Sequence, residues 1–108
     1  MPKYLIQGSY SEQGLKGMLE EGGSKRHEAA EQLIKGMGGT LEAYYYAFGS
    51  DDFVVIADFP SNVDATALSL AVNASGAVQS RTTVLITPEE ADQAAKKVKT
   101  VKYRPPGQ

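Results

Sequence analysis

The 108-residue chain predicts an α+β fold in the order β-α-β-β-α-β-α, and three observations carry that expectation. Runs of strand character at Lys3–Tyr10, Thr40–Phe48, Phe53–Phe59 and Ala77–Ile86 alternate with stretches of helical periodicity. Only Gly49-Ser50-Asp51-Asp52 separates the second run from the third, so those two should form an antiparallel hairpin. The third run is apolar on both faces of a strand: Phe53, Val55, Ala57 and Phe59 point one way, Val54, Ile56 and the exceptional Asp58 the other.

The first strand ends near Gly8-Ser9. A short helix follows from Ser11 to Glu21, with Gly14 and Gly17 expected to interrupt it and Gly22-Gly23 to stop it. Ser24 is placed to cap a stronger helix, where Ala30, Leu33, Ile34 and Met37 recur at i, i+3, i+4 and i+7 as one apolar stripe. Gly38-Gly39 ends it. After the hairpin and Pro60, Ser61 caps the next helix with Asp64 three positions on, and Val63, Ala67, Leu68, Ala71 and Val72 are available for burial. That helix ends near Ser75-Gly76. Thr87-Pro88-Glu89-Glu90 is the clearest local signal: a capping threonine, proline at the first helical position, and a glutamate that answers the cap. The last helix runs to Val98 with a narrow stripe of Ala91, Ala94, Ala95 and Val98, and residues 100–108 form an extended tail.

This order is the split βαβ, or ferredoxin-like, arrangement with one appended helix, in a single domain spanning 1–108. Helices cover only one face of such a sheet, yet the third strand is apolar on both. A central strand of that kind needs a second layer. The chain has no element left to supply it, so a second copy is expected to cover the open face in a symmetric dimer.

Composition narrows the function classes. No apolar run approaches the ~20 residues that cross a bilayer, and the N-terminus lacks the apolar core of a secretion signal. The absence of cysteine fits the cytoplasm. All 13 acidic residues precede Lys96, where six basic ones leave the chain at −7; Lys96, Lys97, Lys99, Lys102 and Arg104 then follow. Lysines at the end of a helix complement its dipole, and one nearby aromatic is too little for a nucleic-acid footprint, so neither nucleic acid nor membrane is an expected partner.

Few residues suggest chemistry. His27, the only histidine, stands beside Lys25, Arg26 and Glu28 and reads as a surface residue; no metal-ligand spacing exists, and no metal or cofactor is expected. Asp51 and Asp52 read first as turn formers. Tyr44 and Tyr46 share a strand face, with Tyr45 on the other, and a buried phenol keeps a polar tip for a partner. Asp58, on a mostly apolar face, needs a partner or a raised pKa. Arg81 is the candidate, either as a structural ion pair, within the chain or across the dimer, or as an anion site with Thr83 and a tyrosine.

The segments "GLKGMLEEGGSKR", "GGTLEAYYYAFGSDDFVVIADFP", "ALSLAVNASG", "TTVLITPEE" and "YRPPG" resemble the GYD-domain family over nearly the whole chain. Gly49 and Asp52 match the glycine and aspartate of its namesake tripeptide, with Asp51 in place of the tyrosine. The resemblance implies a dimeric α+β barrel, marks Asp52 as the better functional candidate of the acidic pair, and supplies no activity. Two classes of function follow. One is a binding or structural module that holds a small molecule, with Tyr44, Tyr46, Asp52, Asp58, Arg81 and Thr83 as candidate ligand contacts. The other is a cofactor-independent small-molecule enzyme, isomerase- or oxygenase-like by fold analogy, with a tyrosine or Asp52 moving a proton and Arg81 stabilising an anion.

Overall fold

The alternation in Phe53–Asp58 decides the layering. In a computed structural model of the whole chain, Met1 to Gln108, that segment is strand β3, and Phe53, Val55 and Ala57 are buried while Val54, Ile56 and Asp58 are half-buried. It pairs with β1 (Lys3–Tyr10) on one side and β2 (Thr40–Tyr46) on the other, and β4 (Val78–Leu85) pairs with the far edge of β1. The sheet is antiparallel in the order β2-β3-β1-β4, the ferredoxin-like topology.

Four α-helices connect and extend these strands: α1 (Glu12–Glu21), α2 (Gly23–Gly36), α3 (Asn62–Ala74) and α4 (Pro88–Lys97), the last continued by a 3-10 turn, Val98–Thr100. The core lies between the sheet and α2 and α3, around Tyr4, Ile34, Ala57, Phe59 and Ala65. Tyr4 and Phe59 pack ring to ring at 5.8 Å. The Tyr4 hydroxyl donates to Asn62 Oδ1, which removes the penalty of burying a phenol. Complete burial of Phe59 contributes about 1.5–3 kcal/mol.

Local signals hold where side chains form caps. Ser61 Oγ accepts from Asp64 N, and Thr87 with Glu90 forms the expected capping box. Three expectations change. Gly14 and Gly17 do not interrupt α1, which Ser11 caps; a side chain at Gly14 would collide with the Ala77 backbone, so this glycine serves close packing of α1 on the start of β4. Ser24 is not a cap. Gly22, at φ +98°, turns the chain between α1 and α2, and α2 starts at Gly23 without a side-chain cap. Lastly, a bulge between Leu41 and Ala43 adds a residue to β2, so Leu41 packs against the helix-side core although strict alternation groups it with Tyr45.

The C-terminal segment leaves the body altogether. Every residue from Ile86 to Gln108 is exposed. The radius of gyration is 17.2 Å and the extents are 56 × 33 × 24 Å, against about 13 Å for a compact chain of this length. No helix is long and apolar enough to cross a membrane.

Candidate functional site

Helix α2 lies over β2 and α3 lies over β4, so the central strands β1 and β3 run beneath a gap between the two helices. Small side chains keep the gap open: Ala29 and Ala30 on α2, Ser69 on α3. The result is a half-enclosed cavity of about 140 Å³. Its floor is Ile6, Phe53, Val55 and Thr82, and its walls include Leu33 and Val72. A cavity of this size admits a benzene-sized molecule.

One end is polar. Tyr10, Tyr44 and Arg26 line it, and Tyr46 stands behind Tyr44. Tyr46 donates its single hydroxyl proton to the Gly23 carbonyl at 3.1 Å, so in the 3.3 Å contact between the two phenols Tyr44 is the donor. Their rings meet edge to face at 5.4 Å, and His27 lies against the outer side of Tyr44 with ring centroids 5.1 Å apart. Tyr10 packs on Phe53 at 5.7 Å.

Burial pushes both the Tyr44 and the Tyr10 hydroxyls above the usual phenol range. The hydrogen bond with Tyr46 adds to the effect at Tyr44; at Tyr10 the charge on a neighbouring Tyr46 phenolate would do so, while Arg26 acts the other way. The phenols are therefore neutral hydrogen-bonding groups near pH 7. Arg26 supplies the fixed positive charge and is only loosely tied, its nearest carboxylate being that of Glu21 at 3.5 Å on an exposed surface.

The six residues picked from the sequence fall into three places. Tyr44 and Tyr46 share a face, as their alternation implied, and that face is the helix side, away from Asp58 and Arg81. Asp52 belongs to the turn: its carboxylate accepts the Tyr10 N–H at 2.9 Å, its own N–H donates to the Gly8 carbonyl, and its carbonyl accepts from Ala47. Asp58, Arg81 and Thr83 lie on the open side of the sheet with Val54 and Ile56. A single cavity lined by tyrosine together with Asp58 and Arg81 is therefore not formed within one chain.

Nor does Arg81 pair with Asp58 in the chain. Asp58 takes Lys3, 3.0 Å away, which also reaches Glu42 at 3.1 Å, and these two carboxylates raise the Lys3 pKa, Asp58 most. Arg81 forms a two-pronged pair with Asp51 at 3.0 and 2.7 Å. His27 is exposed, and no group of three or more His, Asp or Glu side chains is placed to hold a metal ion.

Sequence reasoning missed Tyr10 and Arg26. Tyr10 follows Tyr4, Ile6 and Gly8 on the inward face of β1, and Arg26 precedes Ala30 by four on the apolar stripe of α2. A cation in line with an apolar helical stripe was the available signal.

No curated protein and no solved structure matches this chain. The family model described as GYD domain matches residues 4–95, from the first core residue of β1 into α4. The chain thus belongs to the GYD-domain family.

Proposed function

We propose that this protein is a dimeric binding module that holds a small apolar molecule bearing an anionic head in the cavity between α2 and α3. The single observation that carries this reading is the division of the cavity into a mainly apolar floor and an end made of Arg26 and two half-buried phenols. An apolar hollow with a few convergent polar groups is the usual form of a small-molecule site. A small aromatic or branched carboxylate fits both halves, its hydrocarbon over Val55 and its carboxylate toward Arg26. Titration with benzoate, followed by amide NMR, tests it. Shifts confined to cavity residues such as Ala30, Val55 and Val72, weakened about tenfold by Arg26→Ala, are expected. Shifts scattered over the surface, or an Arg26→Ala variant that binds benzoate unchanged, contradict the reading.

The enzyme reading has less support. A general base works best with a pKa near the working pH, and burial moves Tyr10 and Tyr44 the opposite way, while the Asp52 carboxylate is engaged by the Tyr10 N–H.

The dimer is the other half of the proposal. Leu5, Val54, Ile56, Ala43, Tyr45 and Leu85 share the open side of the sheet, and Tyr45 is 69% exposed. The ion pairs of Lys3 with Asp58 and of Arg81 with Asp51 flank this apolar centre, an apolar middle with a charged rim that suits a second copy related by a two-fold axis. A cytoplasmic setting, inferred from the cysteine-free sequence, belongs to the same proposal.

A further inference from the structure

The C-terminal arm is at odds with the physics of an isolated helix. Helix α4 has ten residues, and helices shorter than about 12–15 are marginal in water without packing. It touches no core of its own, and beyond the fully exposed helix the arm displays Val98, Val101 and Tyr103, each more than 60% exposed.

The charge layout of the arm suits a second copy of the same helix. Acidic residues fill the first turns of α4 (Glu89, Glu90, Asp92) and basic ones its end and the turn beyond (Lys96, Lys97, Lys99). At 100° per residue, Ala91, Ala94 and Ala95 form one face with Glu90 and Lys97 on one flank and Asp92 on the other, and the 3-10 turn, at about 120° per residue, brings Val98 onto that face and Lys99 to the flank of Asp92. A two-fold axis between Ala94 and Ala95 reverses the helix direction but keeps each flank on its own side. Glu90 of one copy then lies beside Lys97 of the other, and Asp92 beside Lys99, while Ala91 meets Val98 across the seam. The helix is complementary to itself in charge and in shape.

We infer that α4 packs antiparallel against α4 of a second copy of this chain, with the two-fold axis between Ala94 and Ala95. This contact is separate from the proposed contact between open sheet faces. Alanines at the crossing allow an interaxial distance near 8 Å, the short end of the helix-packing range.

The cysteine-free chain permits a clean test. In the full-length protein, Ala95→Cys brings its thiol next to its symmetry mate, within the ~4 Å between Cβ atoms that a disulfide needs. Gln93→Cys puts one on the outer side of the same helix. Mild oxidation with oxidised glutathione should give a covalent dimer of the Ala95→Cys protein at least tenfold faster than of the Gln93→Cys protein. Separately, Asp92→Lys or Lys99→Glu should each slow cross-linking of the Ala95→Cys protein severalfold, and the two reversals together should restore it. Equal cross-linking rates at 93 and 95, no cross-linking at 95, or a double reversal no faster than the singles overturns the inference. Cross-linking at Ala95 in a protein whose open sheet face carries a charge, such as Ile56→Asp, separates failure of the sheet contact from failure of this one.

Discussion

Filling the cavity between α2 and α3 should stabilise the protein and abolish its binding. Ala30→Leu is the suitable change, since Ala30 lines the hollow from α2 and leucine is as good a helix former as the position requires. A sealed cavity of 140 Å³ would cost about 3 kcal/mol at ~24 cal/mol per Å³. This one is half open, so part of that penalty is already relieved by solvent. Three added carbons, at about 0.8 kcal/mol each when buried, set an upper bound of roughly 2.4 kcal/mol. After the loss of side-chain freedom, a gain of about 1–2 kcal/mol is expected. In thermal melts at fixed protein concentration that is a rise of about 4–8 °C per kcal/mol for a domain near this size. The variant should show no benzoate shifts. A fall in Tm would mean that the space is not there to be filled, and unchanged benzoate binding would place the ligand elsewhere.

Three other outcomes follow from the same geometry. Asp51→Ala removes the partner of Arg81 from a side chain only 11% exposed, and should lower stability by about 1 kcal/mol in urea unfolding; an unchanged midpoint would show that the two-pronged pair merely decorates the surface. Asp52→Ala leaves the Tyr10 N–H without its acceptor and should destabilise by about 1–3 kcal/mol, with Asp52→Asn intermediate because it keeps an oxygen; equal effects of the two would argue against this hydrogen bond. At high pH, Tyr44, Tyr10 and Lys3 all hold their protons more tightly folded than unfolded, so their contributions are intact below about pH 10 and are lost as the pH rises through their folded values. Melts should be flat from neutrality to about pH 10 and fall above it, and tyrosinate absorbance should reveal a phenol, missing in Tyr44→Phe, that ionises only on unfolding.

How much of this was legible in the sequence depends on the range of the interaction concerned. Ser61 and Thr87 act on backbone three residues away, so their caps can be read locally. The alternation of β3 likewise decides its own two faces. The bulge at Leu41–Ala43 has no such local mark, and one extra residue there regroups the inward side chains of β2. The Asp58–Arg81 expectation failed within the chain for a reason of register. Strand β1 lies between β3 and β4, with Asp58, Lys3 and Leu85 in one row and Val54, Gln7 and Arg81 in another. The two rows are four residues apart, about 13 Å along the strands, which leaves Lys3 as the cation beside Asp58 and the hairpin loop within reach of Arg81. The cavity depends on a gap between α2 and α3 that no single segment encodes, although Arg26 on the apolar stripe of α2 pointed toward it.

On the proposed reading, α2 and α3 shelter one apolar side of β3 and a second copy shelters the other. Sedimentation equilibrium of the full-length protein from 1 to 100 micromolar, alongside Ile56→Asp, tests this most directly. A mass of at least twice the 11.6 kDa chain is expected for the native protein, and for Ile56→Asp a smaller assembly, left without its sheet-to-sheet contact, together with lower stability. A native chain that sediments as a stable folded monomer, or an Ile56→Asp protein that assembles and melts like the native one, would contradict it.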